Sequence, residues 1–319
     1  MKFFITITKP FKDFYRHLFY FFIRVKWRNV LNDLKLHREE KYIPLGVFPT
    51  FPSKQPPNYT KKIRALHLND SFLPTKTYTD KSGDTKIACN PVAIVNYGLF
   101  EYGLYLNDKS EKRLLIIKAV SDWLVSNQME NGCWIENFDY YCHNVSVWLN
   151  DGWISGMCQG EAIALLCRCY SLTNEPKYLI AAKAALQCFE RDISNCGVLS
   201  SFNGIAVYEE YPTSPGVHVL NGFIYSLFGL YDLWASYGDT KAGELFKKGV
   251  DSVKRLLPYY DDSRISHYDL GHITASPRKI NINYKYHILH IKLLKNLYSV
   301  TNEETFLFFA EKWEKFNKR

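Results

Sequence analysis

The stretch that decides the fold is GMCQGEAIALLCRCYSLTNEPKYLIAAKAALQCFER, residues 156–191. Its first half, about 156–172, is apolar through Ala162, Ile163, Ala164, Leu165 and Leu166, which suits a helix buried inside a protein. Thr173, Asn174 and Glu175 interrupt it, and a second helical stretch follows at about 176–191.

The same pair recurs along the chain. An apolar helix is expected at about 91–106, 219–236 and 286–300, and a more charged partner at about 110–127, 240–257 and 302–317. The first helices start roughly 65 residues apart. The second helices carry charge on one face, as in Glu111, Lys112 and Arg113 or Lys241, Glu244, Lys247 and Lys248. Buried inner helices and half-exposed outer ones follow from that contrast. A two-helix unit of this period implies stacked or ring-closed hairpins. The expected fold is mainly α: an α/α toroid of about four helical hairpins over 91–319. An open solenoid would need capping repeats, and the sequence has none. Outer-to-inner connections are long, about 128–155, 192–218 and 258–285, whereas inner-to-outer ones are short. The long loops therefore gather at the N-terminal ends of the inner helices, the expected face for a site.

Residues 1–90 read differently. Five prolines between Pro44 and Pro57 make an extended linker, and 63–90 carry a short β element with a turn at Ser82-Gly83-Asp84. Residues 1–54 hold 11 Lys/Arg against 4 Asp/Glu, so the net charge of +8 belongs almost wholly to this segment. That distribution argues against a nucleic-acid binder. Within 1–30, aromatic and basic residues alternate (Phe19, Tyr20, Arg24, Lys26, Trp27, Arg28). They are too interrupted for a membrane span or a secretory signal. They suit either a basic helix lying on a membrane surface or one packed across the main domain or a homodimer partner. The eight cysteines form no CxxC pair. Cys158, Cys167, Cys169 and Cys188 read as small buried hydrophobes in a reducing compartment, with a cytoplasmic location, and no metal site is expected.

The long loops concentrate reactive side chains: Gly152-Trp153 to Gly160, Tyr208-Glu209-Glu210-Tyr211-Pro212-Thr213, Val219 to Leu233, Tyr268-Asp269-Leu270 with His272, and Tyr286-His287 with His290. In this order, and with the eighteen-residue step from Tyr268 to Tyr286, these blocks resemble the C-terminal domain of the D-glucuronyl C5-epimerases. The resemblance covers roughly 90–317. It implies epimerisation of glucuronate to iduronate within an anionic, glycosaminoglycan-like polysaccharide. It also places Glu210, Tyr211, Tyr268 and Tyr286 at the family's catalytic positions. Glu210 or Tyr286 would serve one face of the sugar and Tyr211 the other, with Tyr268 orienting it. Asn221, His272, His287 and His290 are expected to touch the substrate or to support the residues that do, His290 equally as a hydrogen-bonded core residue; Gln159 is a further candidate contact, and Trp153 either stacks on sugar or fills the ring. The chemistry is consistent: inverting C5 needs a proton removed beside a carboxylate and one returned from the other face. The reaction calls for no organic cofactor or metal, and no Gly-rich phosphate loop is present.

Two departures stand out. Animal members of the family carry Arg where this chain has Gly271; Arg278 or Lys279 would be its substitute in gripping the uronate carboxylate. They also carry a larger β-rich region ahead of the helices. Two other functions therefore stay open, a polysaccharide lyase working through the same carbanion and an inactive saccharide-binding relative.

Overall fold

The computed structural model describes residues 67–68, 73–143, 145–275 and 280–316. Residues 1–30, with their membrane or dimer expectation, and Arg278 and Lys279 lie outside the described residues. Strands β1 (His67–Leu68), β2 (Pro74–Thr79) and β3 (Thr85–Cys89) form an antiparallel sheet in that order. Helical hairpins follow: α1 (Pro91–Asp108) with α2 (Glu111–Asn127), then, after the β4 (Tyr140–Cys142) and β5 (Val147–Leu149) hairpin, α3 (Gly156–Thr173) with α4 (Pro176–Ala184) and α5 (Gln187–Glu190). A second β-hairpin, β6 (Leu199–Phe202) and β7 (Ile205–Tyr208), leads to α6 (Leu220–Tyr237) and α7 (Thr240–Tyr260). The short α8 (Gly271–Thr274) precedes α9 (Tyr284–Thr301) and α10 (Glu304–Phe316).

The repeat is stricter in space than in sequence. All four inner helices, α1, α3, α6 and α9, are 18 residues long. Each ends on a residue in the left-handed region: Lys109, Asn174, Gly238 and Asn302, with φ between 50° and 68°. The cap N–H donates to the carbonyl four residues back, on Tyr105, Tyr170, Trp234 and Tyr298 respectively. This αL cap satisfies an orphan carbonyl and turns the chain sharply into the outer helix. Asn90, Ser155 and Asn283 cap the opposite ends of α1, α3 and α9 by accepting from backbone N–H groups of the first turn.

The inner helices pack in chain order, α1 on α3, α3 on α6 and α6 on α9, around an α/α toroid. The closest crossing is α3 on α6. A Cβ at Gly229 would lie 1.9 Å from the Gly160 carbonyl oxygen, so only glycine lets the backbones approach this far. Arg168 and Asp232, the thirteenth residues of α3 and α6, form a buried ion pair at 2.5 Å across the same contact.

Two expectations need correcting. The outer helix expected at 176–191 is broken after Ala184, where the 128–133 loop presses on it: Gln128 Nε2 donates to the Ala181 carbonyl at 2.8 Å. Cys158, Cys167 and Cys169 are buried thiols, but Cys188 is joined to Cys133 in a disulfide, tying the same loop to α5. A disulfide is not what a reducing compartment maintains. No helix among the described residues is long and apolar enough to cross a membrane.

Candidate active site

The segment after β7 is extended, so successive side chains point to opposite sides. Tyr208 enters the core and donates to the Leu245 carbonyl at 3.0 Å. Glu209 turns the other way and meets Ser200 Oγ and, at 2.5 Å, His218 Nδ1. Glu210 returns to the interior. The Gly156 N–H donates to the Glu209 carbonyl at 2.6 Å, pinning this loop to the start of α3. Glu210 rests in a notch at the start of α6, where a Cβ on Gly222 would lie 2.2 Å from its Oε2. Gly222 is therefore required for close approach of a side chain, not for its backbone angle.

Around Glu210 the phenols gather. Tyr140 of β4 stacks on Tyr211, with ring centroids 5.0 Å apart and planes 10° apart, and Trp153 lies 5.8 Å from Tyr211. Tyr268 and Tyr286 have centroids 4.5 Å apart. Val217, Val219 and Cys142 back this cluster. The Tyr268 carbonyl accepts from Leu220 N–H at 3.2 Å, and Leu270 N–H donates to the Val217 carbonyl, so the third and fourth long loops run side by side. The structure thus brings Glu210, Tyr211, Tyr268 and Tyr286 together and adds Tyr140, which was not among the sequence candidates.

The electrostatics follow from enclosure. Burial pushes Glu210 up to about 7, with Tyr211 pulling it down and the charges of Asp269 and Glu209 pushing it further up. Burial, then the charge of Glu210, raises Tyr211 and Tyr268 well above 10 and also raises Tyr286. At neutral pH the carboxyl is poised to exchange a proton while the phenols hold theirs.

Two further carboxyls lie in the same field. Glu136, next to Trp153 by a backbone bridge, and Glu161, in the middle of α3, are each pushed up to about 8, by burial first and then by Glu210. Among the described residues both oxygens of Glu136 lack a hydrogen-bond partner, as do Glu210 Oε2 and Asn221 Oδ1. The one signal for Glu161 in the sequence is an acid inside an otherwise apolar helix; Glu136 gives none.

The remaining candidates separate. Asn221 stands beside the Gly222 notch and Trp153 edges the phenol cluster, its Nε1 donating to the Phe138 carbonyl. Gln159 is fully buried and spent on structure, exchanging hydrogen bonds with the Trp134 backbone at 2.9 Å each way. His287 and His290 are also structural. Ser266 Oγ bridges their Nδ1 atoms at 3.0 and 2.8 Å, Trp313 packs on both, and burial lowers them to about 4 and about 3. Buried and neutral, they anchor the loop before Tyr268. His272 stacks on His267, with centroids 4.0 Å apart. Gly271 opens α8, its N–H donating to Asp269 Oδ1 at 2.8 Å. Among the described residues no group of three His, Cys, Asp or Glu is arranged to hold a metal ion.

Comparison with known proteins shows the family. The family model described as D-glucuronyl C5-epimerase C-terminus matches residues 127–315. A D-glucuronyl C5-epimerase of Caenorhabditis elegans is 36% identical over 262 residues, covering 78% of this chain and 42% of its own. An uncharacterised protein of Methanocaldococcus jannaschii is 31% identical over 189 residues, 56% of either chain. The chain spans about half the length of the curated relatives it matches. Among solved structures, the cellobiose 2-epimerase of Bacillus thermoamylovorans superposes with a TM-score of 0.56 at 11% identity, covering 82% of this chain and 68% of that one. An α-1,6-mannanase of Salegentibacter in complex with α-1,6-mannotetrose gives 0.53 at 14%, covering 86% and 70%. At such identities these two speak for the α/α toroid fold alone. The sequence match over more than half the chain makes it a member of the D-glucuronyl C5-epimerase C-terminal family.

Proposed function

We propose that this protein inverts C5 of glucuronate residues within a polysaccharide, giving iduronate by proton removal and return. The observation that carries the reading is the convergence of one carboxyl near neutrality, Glu210, with phenols that stay protonated, Tyr211, Tyr268 and Tyr286. Removing the C5 proton leaves an electron pair that spreads into the adjacent carboxylate. Glu210 accepts that proton. A phenol, Tyr211 or Tyr286, returns one to the opposite face, and Tyr268 steers the ring between them. Raised phenols keep their protons at neutral pH, so they are present as acids and not as phenolates, and the strongly basic C5 carbanion takes a proton even from a weakened acid; this supports the direction of these roles. Whole-enzyme activity is part of the proposal, because the chain spans only 42% of the C. elegans relative.

The test is incubation with an alternating glucuronate–N-acetylglucosamine polymer in deuterated water. Deuterium at C5 and newly formed iduronate, with no unsaturated uronate, are expected. Unsaturated chain ends would instead mean expulsion of the C4 substituent, a lyase. Binding without any exchange would mean a saccharide-binding relative.

A further inference from the structure

The four inner helices repeat closely enough to compare position by position. Their sixth residues are Asn96, Glu161, Tyr225 and Leu289. Three of the four are polar, and the fold brings them to one place. Asn96 Nδ2 donates to Glu161 Oε2 at 2.9 Å across α1 and α3, and to the Val92 carbonyl at 2.9 Å. The Tyr225 phenol is raised by burial first and then by the charges of Glu161, Glu210 and Tyr286. Asn96 and Tyr225 are only half-buried, whereas Glu161 between them is buried.

Glu161 is out of place on structural grounds. A buried carboxyl within a helix core costs stability unless it is paired. Asp232, also buried but seven positions further along its helix, is paired with Arg168 at 2.5 Å. No cation is paired with Glu161 among the described residues, and the hydrogen bond its carboxyl shows is the one from Asn96 to Oε2. The titratable groups that face it are Glu136 from the loop before β4, Cys158 from α3 itself, Tyr225 from α6 and Glu210, and none of them is a cation. Three buried oxygens of the carboxyls that act on it, two on Glu136 and one on Glu210, lack partners among the described residues.

We infer that Glu161 is the residue that receives the substrate's carboxylate, donating its carboxyl O–H to a uronate oxygen. This rests on the C5-epimerase reading. An anion entering a site faced by acids needs donors, and enclosure keeps Glu161 protonated near neutrality (pushed up to about 8). A neutral carboxylic acid against a carboxylate makes a short, charge-assisted hydrogen bond. As the C5–H bond breaks and its proton passes to Glu210, the electron pair moves onto the uronate carboxylate oxygens. The bond from Glu161 strengthens at that moment, and no atom changes partner at Glu161 over the full cycle.

The experiment measures the affinity of wild type, Glu161→Gln and Glu161→Ala for a glucuronate oligosaccharide and for its carboxyl-reduced glucose counterpart, alongside C5 exchange in deuterated water. Wild type should prefer the uronate by about tenfold or more. Glu161→Ala should lose that preference. Glu161→Gln, still an N–H donor, should keep most of it and lose about a hundredfold or more in exchange. A Glu161→Ala protein that folds and keeps the full preference overturns the inference, as does exchange that requires an added divalent cation. If wild type exchanges C5 but the preference ignores Glu161, the inference alone fails. If the preference follows Glu161 but no variant exchanges C5, the epimerase reading alone fails.

Discussion

Glu209 and Glu210 are neighbours in the chain and lead opposite lives. On one side of their loop, Glu209 is held by Ser200 Oγ and His218 Nδ1, behind a groove of about 490 Å³ lined by Ser201, Asn203, Ser214, His218 and Thr274. On the other side, Glu210 sits against glycine and phenols with one oxygen unpartnered. The first carboxyl is tied to a histidine and a serine hydroxyl through its Oε1 and completes a structure. Both carboxyls are buried and each leaves its Oε2 unpartnered among the described residues, so the difference lies at the other oxygen: the second has no histidine beside it, and burial moves it toward neutral pH. The contrast teaches that residue type and sequence position say little about role; what surrounds each oxygen decides it.

Each of the following variants breaks one side of that contrast. Glu210→Gln should cause the largest loss, about a thousandfold in C5 exchange, while its melting temperature stays at or above that of wild type. Tyr211→Phe and Tyr286→Phe remove one oxygen each and should lower exchange about a hundredfold; unchanged rates in both would refute their assignment as donors. Gly222→Ala fills the notch beneath Glu210 and should lower exchange about tenfold by displacing the carboxyl, with little change in binding. On the other side, His218→Ala strands Glu209 in the protein and should destabilise by about 3 kcal/mol in denaturant titration, with much less effect on exchange per folded molecule.

The pH dependence sharpens the same contrast. With Glu210 as proton acceptor, exchange should rise with pH through about 7. Stability should move oppositely. Glu136 and Glu161 keep their protons in the folded state up to about 8 but lose them near 4.5 when unfolded. Between those values the unfolded state binds fewer protons, so stability falls as pH rises. Glu136→Gln should therefore melt close to wild type near pH 4.5 and above it at pH 8; a constant difference across that range would contradict the buried, protonated assignment.

Much of this was legible in the chain. Apolar stretches recurring about every 65 residues gave the inner helices within about two residues, because a helix buried on all sides leaves a dense and regular signal. The long loops likewise pointed to the face where Glu210 and the phenols meet. What was not legible depends on partners far apart in sequence. His287 and His290 read as ligand contacts, but Ser266 and Trp313 occupy them. Gln159 read the same way, but the Trp134 backbone takes up its amide. Glu136, Tyr140 and Tyr225 gave no local sign, since only packing of four hairpins brings them beside Glu210. The break after Ala184 was hidden for the same reason, being imposed by a loop more than fifty residues earlier.

The central claim is a place and a direction: a uronate ring held over Glu210, with phenols on its other face. The most direct measurement is a crystal structure of the Glu210→Gln protein with a glucuronate-containing oligosaccharide. The account predicts C5 within hydrogen-bonding reach of the residue 210 side chain on one face, and the Tyr211 or Tyr286 hydroxyl on the other. A saccharide lying instead in the groove beside His218, with the phenol cluster closed and empty of sugar, would contradict it.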